Sequence, residues 1–165
     1  MISGFDDRLA VAISLREEGR DDEAREMLLD LHAERPDHAE VNLQCAWVHD
    51  KLGLEALAVP FYEKAIESGL AGNGLRDALL GLGSSYRALG HYEKALATLT
   101  RAVEAYPEDN ALAVFRSMAL YNNGRGKEAC ETLIRVLIAT TSDEHVERYR
   151  TALAEYAEDL DRIWP

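Results

Sequence analysis

Five histidines, two cysteines and thirty acidic side chains are the groups in this 165-residue chain that could do chemistry. The histidines stand at positions 32, 38, 49, 91 and 145. None is paired with another histidine or with a glutamate on one helical face, as a zinc site or zinc hydrolase would need. Asp143-Glu144-His145 has the residue types for metal or acid–base work. Its acids also open a helical stretch, where carboxylates suit the positive end of the helix dipole in any case. A carboxyl that acts as an acid at neutral pH needs apolar surroundings to raise its pKa, and no pair of acids is isolated in such a run. Gly69-Leu70-Ala71-Gly72-Asn73-Gly74 is glycine-rich but lacks the Lys-Ser/Thr and the flanking strand of a phosphate-binding loop. The expectation is no catalytic residue, no metal and no cofactor.

Cys45 and Cys130 make neither a disulfide framework nor a metal spacing. Both fall on apolar helix positions, which predicts two small buried thiols in a reducing cytoplasm. Net charge is −12, with 16 acids against 7 bases in residues 1–75. That balance disfavours nucleic acid and anionic membranes, and it suits a basic partner or simply a solvated outer face. No apolar run approaches the 18 residues of a membrane span, and no leader pattern follows Met1, so the location expected is cytoplasmic. With 47% hydrophobic residues, the chain can bury the core of one domain spanning 1–165.

The elements that position these residues are helices. A glycine is followed five residues later by an alanine at Gly19/Ala24, Gly53/Ala58, Gly90/Ala95 and Gly124/Ala129, at intervals of 34, 37 and 34. The glycine suits a helix end in the left-handed region, and the alanine lets a second helix approach the first. The repeated Tyr-Glu-Lys-Ala at Tyr62 and Tyr92 would give a period of 30 and breaks every other alignment. Four hairpins follow, at about 5–36, 37–72, 75–107 and 108–141. Pro60 predicts a kink or a late helix start in the second hairpin. The extra residues at 69–74 predict a longer turn. After Ser142, read as an N-cap, a helix at about 142–163 carries Val146, Tyr149, Leu153, Tyr156, Leu160 and Ile163 as an apolar stripe. Covering the end of the last repeat is the plain reading of that stripe, and self-association or filling a groove are the alternatives.

The third hairpin is the most completely written: Leu79, Leu82-Gly83, Tyr86, Gly90, Ala95, Leu99, Ala102 and Pro107. This L-x2-L-G-x2-Y, A-x3-L-x2-A, P pattern resembles the tetratricopeptide repeat, a helix–turn–helix unit of about 34 residues. The pattern is looser elsewhere: the Tyr86 position holds Leu15, His49 and Leu120, and the Leu99 position holds Leu28, Tyr62 and Leu133. The resemblance implies an all-α superhelix, a solenoid of four hairpins plus a C-terminal capping helix.

It also implies that the first helices line a concave groove for a protein or peptide partner. The groove set is then Leu9, Ile13 and Arg16; Leu43, Trp47 and Asp50; Leu80, Ser84 and Arg87; and Val114, Met118 and Tyr121. Trp47 is either an interface anchor or a filler between neighbouring first helices. Arg87 could pair with a carboxylate. The Lys, Arg and Asn clamp with which some family members hold a C-terminal carboxylate is absent, since those places read Leu9, Ile13, Gln44, Asp77 and Gly81. The function expected is a non-catalytic adaptor with a basic or apolar partner. Two alternatives stay open: a homodimer or larger homo-oligomer with a self-occupied groove, and a regulatory domain binding a small apolar ligand.

Overall fold

The computed structural model describes residues 4–164, so the stretch directly after Met1 and the outer ends of the 1–165 span lie outside the described residues. The described residues form helices and turns and no strand. The chain divides into two compact units, residues 1–91 and 92–165.

The first unit holds α1 (Phe5–Glu17), α2 (Asp21–Glu34), α3 (Ala39–Lys51), α4 (Glu55–Glu67) and α5 (Gly72–Ala88). Each helix packs on the next, and α3 also touches α1 and α5, which makes it the central element. Leu9, Ala12, Leu15, Ala24, Leu28, Leu31, Val41, Cys45 and Val48 form one buried cluster across the first three helices. Their three- and four-residue spacing puts each set on one helical face. The second unit holds α6 (Tyr92–Ala105), α7 (Asn110–Asn122), α8 (Gly126–Thr140), α9 (Glu144–Glu147) and α10 (Arg150–Tyr156). There α6 packs on α7, α7 on α8 and α8 on α10, over buried Leu99, Leu112, Ala119 and Leu120.

The four ruler glycines all have positive φ: 81° at Gly19, 71° at Gly53, 78° at Gly90 and 75° at Gly124. Every one of these turns closes alike. The N–H after the glycine returns to a carbonyl five residues back, Arg20 to Leu15, Leu54 to His49, His91 to Tyr86 and Arg125 to Leu120, at 2.8–2.9 Å. This is the double closure of a Schellman turn, which satisfies helix carbonyls that otherwise lack donors. A Cβ at any of the four would meet no atom within 4 Å, so glycine is needed for conformation alone. The partner alanines Ala24, Ala58, Ala95 and Ala129 are all buried.

Several expectations need correction. The extra residues near 72 lengthen a helix and not a turn: α5 has 17 residues where α1, α3 and α7 have 13. Gly69, at φ 93°, suffices to reverse the chain, and a Cβ at Gly74 would press on Leu70 at 3.3 Å. Pro60 neither delays nor stops α4, which starts at Glu55 and continues to Glu67; its ring is on the exposed side. Cys130 is exposed on α8, and only Cys45 is buried. The C-terminal stretch is not one helix. Asp143, not Ser142, caps α9, its carboxylate accepting from the N–H groups of His145 and Val146. A turn at Arg148 and Tyr149 then resets the helical phase before α10, which ends at Tyr156. The stripe is therefore dispersed: Tyr149, Tyr156, Leu160 and Ile163 are exposed, Val146 and Leu153 are half-buried, and the residue fully covered here is Ala157, outside the stripe. Polar ties hold the segment to α8 instead. Lys127 pairs with Asp159 and Asp161, the Leu160 N–H donates to Glu131, and Arg135 donates to the Ala157 carbonyl.

Candidate binding cleft

Three of the twelve expected groove residues, Arg16, Trp47 and Asp50, come together around one open cleft in the first unit. Lys51 and Tyr62 complete its lining, and its volume is about 550 Å³. Helix α3 supplies Trp47, Asp50 and Lys51, three and four residues apart and therefore on one face. Arg16 comes from the last turn of α1 and Tyr62 from the middle of α4.

Arg16 is held in place. Its Nε donates to Gln44 Oε1 at 2.8 Å, and Gln44 Nε2 donates in turn to Glu40 Oε1 at 2.7 Å. Gln44 is buried, so this bridge fixes the guanidinium 5.0 Å above the Trp47 ring. That distance falls within cation–π range. Trp47 itself is half-buried, and its indole N–H has no acceptor among the described residues. Lys51 donates to the Arg16 carbonyl at 3.1 Å and pairs with Asp21 at 3.0 Å.

Asp50 is tied inward. Tyr62 donates its hydroxyl to Asp50 Oδ2 at 2.6 Å. Ser85 Oγ lies 2.9 Å from Asp50 Oδ1 and 2.9 Å from the Gly81 carbonyl, so its one proton serves both. Burial pushes the Asp50 carboxyl above its ordinary pKa, while the two hydroxyl donors pull the other way. Tyr62 is buried and its phenol is pushed upward by burial first and by the Asp50 carboxylate second. The ring lies so close to Gly81 that a Cβ there would stand 2.3 Å from it. Glycine is required at 81 by this approach.

The other expected residues are placed differently. Leu9 and Leu43 are 8% and 1% exposed and give their surface to the fold. Ile13 packs half-buried against the same core. Leu80, Ser84 and Arg87 are half-buried on α5, with the Arg87 Nε lacking an acceptor among the described residues. In the second unit, Val114 and Met118 are half-buried and Tyr121 is 72% exposed. Gln44, Lys51, Tyr62 and Ser85 were not among the expected groove residues. Tyr62 carried a signal: it occupies a position where the other repeats have leucine, and a buried hydroxyl needs an acceptor.

A family model described as Tetratrico peptide repeat matches residues 39–160. The chain belongs to the tetratricopeptide repeat family. Members of this family generally mediate protein–protein interactions. No curated protein matches the chain. Among solved structures, this tetratricopeptide repeat protein is similar to MamA from Desulfovibrio magneticus RS-1, at 21% identity and TM-score 0.74, over 88% of this chain and 76% of that one. It is also similar to MamA of strain AMB-1, at 21% identity and TM-score 0.74, over 87% and 78% of the two chains. A third is YrrB, described as a TPR protein with an unusual peptide-binding site, at 19% identity and TM-score 0.72, over 94% and 85%. At these identities the likeness is one of fold. Among the described residues, no group of three His, Cys, Asp or Glu could hold a metal ion, and no helix is long and apolar enough to cross a membrane.

Proposed function

We propose that this tetratricopeptide repeat protein is a non-catalytic adaptor, working in the cytoplasm, that holds a segment of a partner protein on the face of its first helices. The observation that carries this reading is Trp47. A large ring stays only half-buried in an open cleft, with its N–H unused and the Arg16 guanidinium over its face. A rigid aromatic with a spare donor loses little entropy on binding and gives a large contact area, which is the character of an interface anchor. The cleft is open and every lining side chain carries a polar atom. That favours a peptide segment over a small apolar ligand, which would prefer an enclosed apolar pocket. The test is selection from a displayed heptapeptide library on the immobilised full chain. Enrichment of related sequences that is lost with Trp47→Ala supports the reading; enrichment indifferent to Trp47 contradicts it.

A second reading, assembly of copies of this chain, draws on the C-terminal end, where Tyr149, Tyr156, Ile163 and Trp164 are exposed. Mass in solution tests it: a monomer across the micromolar range would sink it.

A further inference from the structure

We infer that the Trp47 cleft is an acceptor-seeking subsite that takes an Asp or Glu side chain of the partner segment and turns away Lys or Arg. This deepens the adaptor reading and rests on it. The chain as a whole carries −12 and by that measure would suit a basic partner. The hydrogen-bond inventory of the cleft points the other way.

The one carboxylate in the lining, Asp50, is already engaged by two hydroxyls and drawn inward. Tyr62 donates to one oxygen, and Ser85 lies within 2.9 Å of the other and 3.2 Å of the first. A partner ammonium or guanidinium would meet a carboxylate whose charge two hydroxyls fixed by the fold already share. The aromatic surface that would otherwise receive a cation is taken as well, because the Arg16 guanidinium lies over the Trp47 ring. A second cation there would meet Arg16 and Lys51, whose nearest acids are Glu17 at 3.6 Å and Asp21 at 3.0 Å, and Asp50, which is turned to Tyr62 and Ser85.

Donors, by contrast, are in surplus. The Trp47 N–H has no acceptor among the described residues. Arg16 spends Nε on Gln44, while among the described residues its terminal nitrogens meet only the exposed Glu17 at 3.6 Å, beyond hydrogen-bond length. Lys51 is nearly half-exposed and keeps one N–H beyond its contacts to Asp21 and the Arg16 carbonyl. A guanidinium, an indole N–H and an ammonium with spare protons match an ionised carboxylate, whose two oxygens only accept. The Gln44–Glu40 bridge holds Arg16 ready, so little order has to be imposed when the carboxylate arrives.

The test uses the full chain and a heptapeptide library whose C-terminus is blocked by fusion, so that only side chains can supply a carboxylate. Enriched peptides should carry Asp or Glu beside an apolar residue. The leading peptide, synthesised with an amidated end, should lose tenfold or more in affinity when its acid becomes the amide. On Arg16→Gln the same peptide change should matter less than twofold. Lys51→Gln, at an exposed position, gives the same comparison should Arg16→Gln fail to fold. Enrichment of basic or uncharged peptides, or an acid-to-amide loss equal on wild type and both variants, overturns the inference and leaves the adaptor reading standing. No enrichment at all overturns both.

Discussion

The Tyr62 hydroxyl donates to Asp50 Oδ2 across 2.6 Å and so joins α4 to α3 beneath the cleft. Ser85 brings α5 to the same carboxylate. One half-buried acid thus ties three helices together beside Trp47 and Lys51 of the same α3 face.

Removing that hydroxyl with Tyr62→Phe leaves a desolvated carboxylate short of a donor. The expected loss is about 1–3 kcal/mol of unfolding free energy. Urea unfolding of wild type and variant measures it, and a change within error would mean the tie carries no weight.

Gly81→Ala attacks the same tie from the other side. The added Cβ would stand 2.3 Å from the Tyr62 ring, which is buried and held at its hydroxyl by Asp50. Overpacking of this kind costs about 1–3 kcal/mol. Gly53→Ala, where the Cβ has open space but φ is 71°, should cost about 1–2 kcal/mol from conformation alone. Combining Gly81→Ala with Tyr62→Phe should cost less than the sum of the singles, since both act on one contact. Full additivity would place the strain elsewhere.

Asp50 also sets a pH dependence. Its folded pKa is raised above the ordinary 3.8, so the folded chain holds the proton more readily than the unfolded one. The burden of burying its charge is absent below that ordinary value and complete above the raised one. The stability of wild type relative to Asp50→Asn should therefore fall as pH rises through this window, then level off towards neutrality. A difference that grows with pH would contradict the sign.

The two thiols should behave oppositely. Burial pushes Cys45 up to about 12, and its Sγ lies 3.6 Å from the Leu28 carbonyl, while Cys130 is exposed. Thiolate, not thiol, reacts. A thiol reagent should label one site on the folded chain and two in denaturant. Two fast sites on the folded chain would refute the burial of Cys45.

The repeat was plain in the sequence because its turns depend on local chemistry. Four glycines needing positive φ, each with an alanine five residues on, mark the hairpins without any knowledge of tertiary contacts. The α2 bounds, Asp21–Glu34, follow from its acidic start and Arg35-Pro36 stop. The cleft was half legible. Helical spacing put Trp47 and Asp50 on one face, but which of their neighbours gives its surface to the fold depends on how close adjacent helices lie. That is why Leu43 is buried while Trp47, four residues on, is only half-buried. The Arg16 guanidinium above Trp47 joins side chains thirty-one residues apart through a glutamine that no pattern marks. The C-terminal stripe misled because its spacing assumes an unbroken helix, and the turn at Arg148 and Tyr149 shifts the phase.

The most direct measurement is the affinity of a library-selected peptide for Trp47→Ala, set beside the unfolding free energy of the same variant. If Trp47 is the anchor, affinity falls by at least about 2 kcal/mol, the scale of an interface hot spot. Stability would then change by only about 1–2 kcal/mol, because the ring is half-buried and not enclosed in the free chain. An affinity within twofold of wild type, with a stability loss of about 3–5 kcal/mol as for a buried aromatic, would contradict it and assign Trp47 to packing.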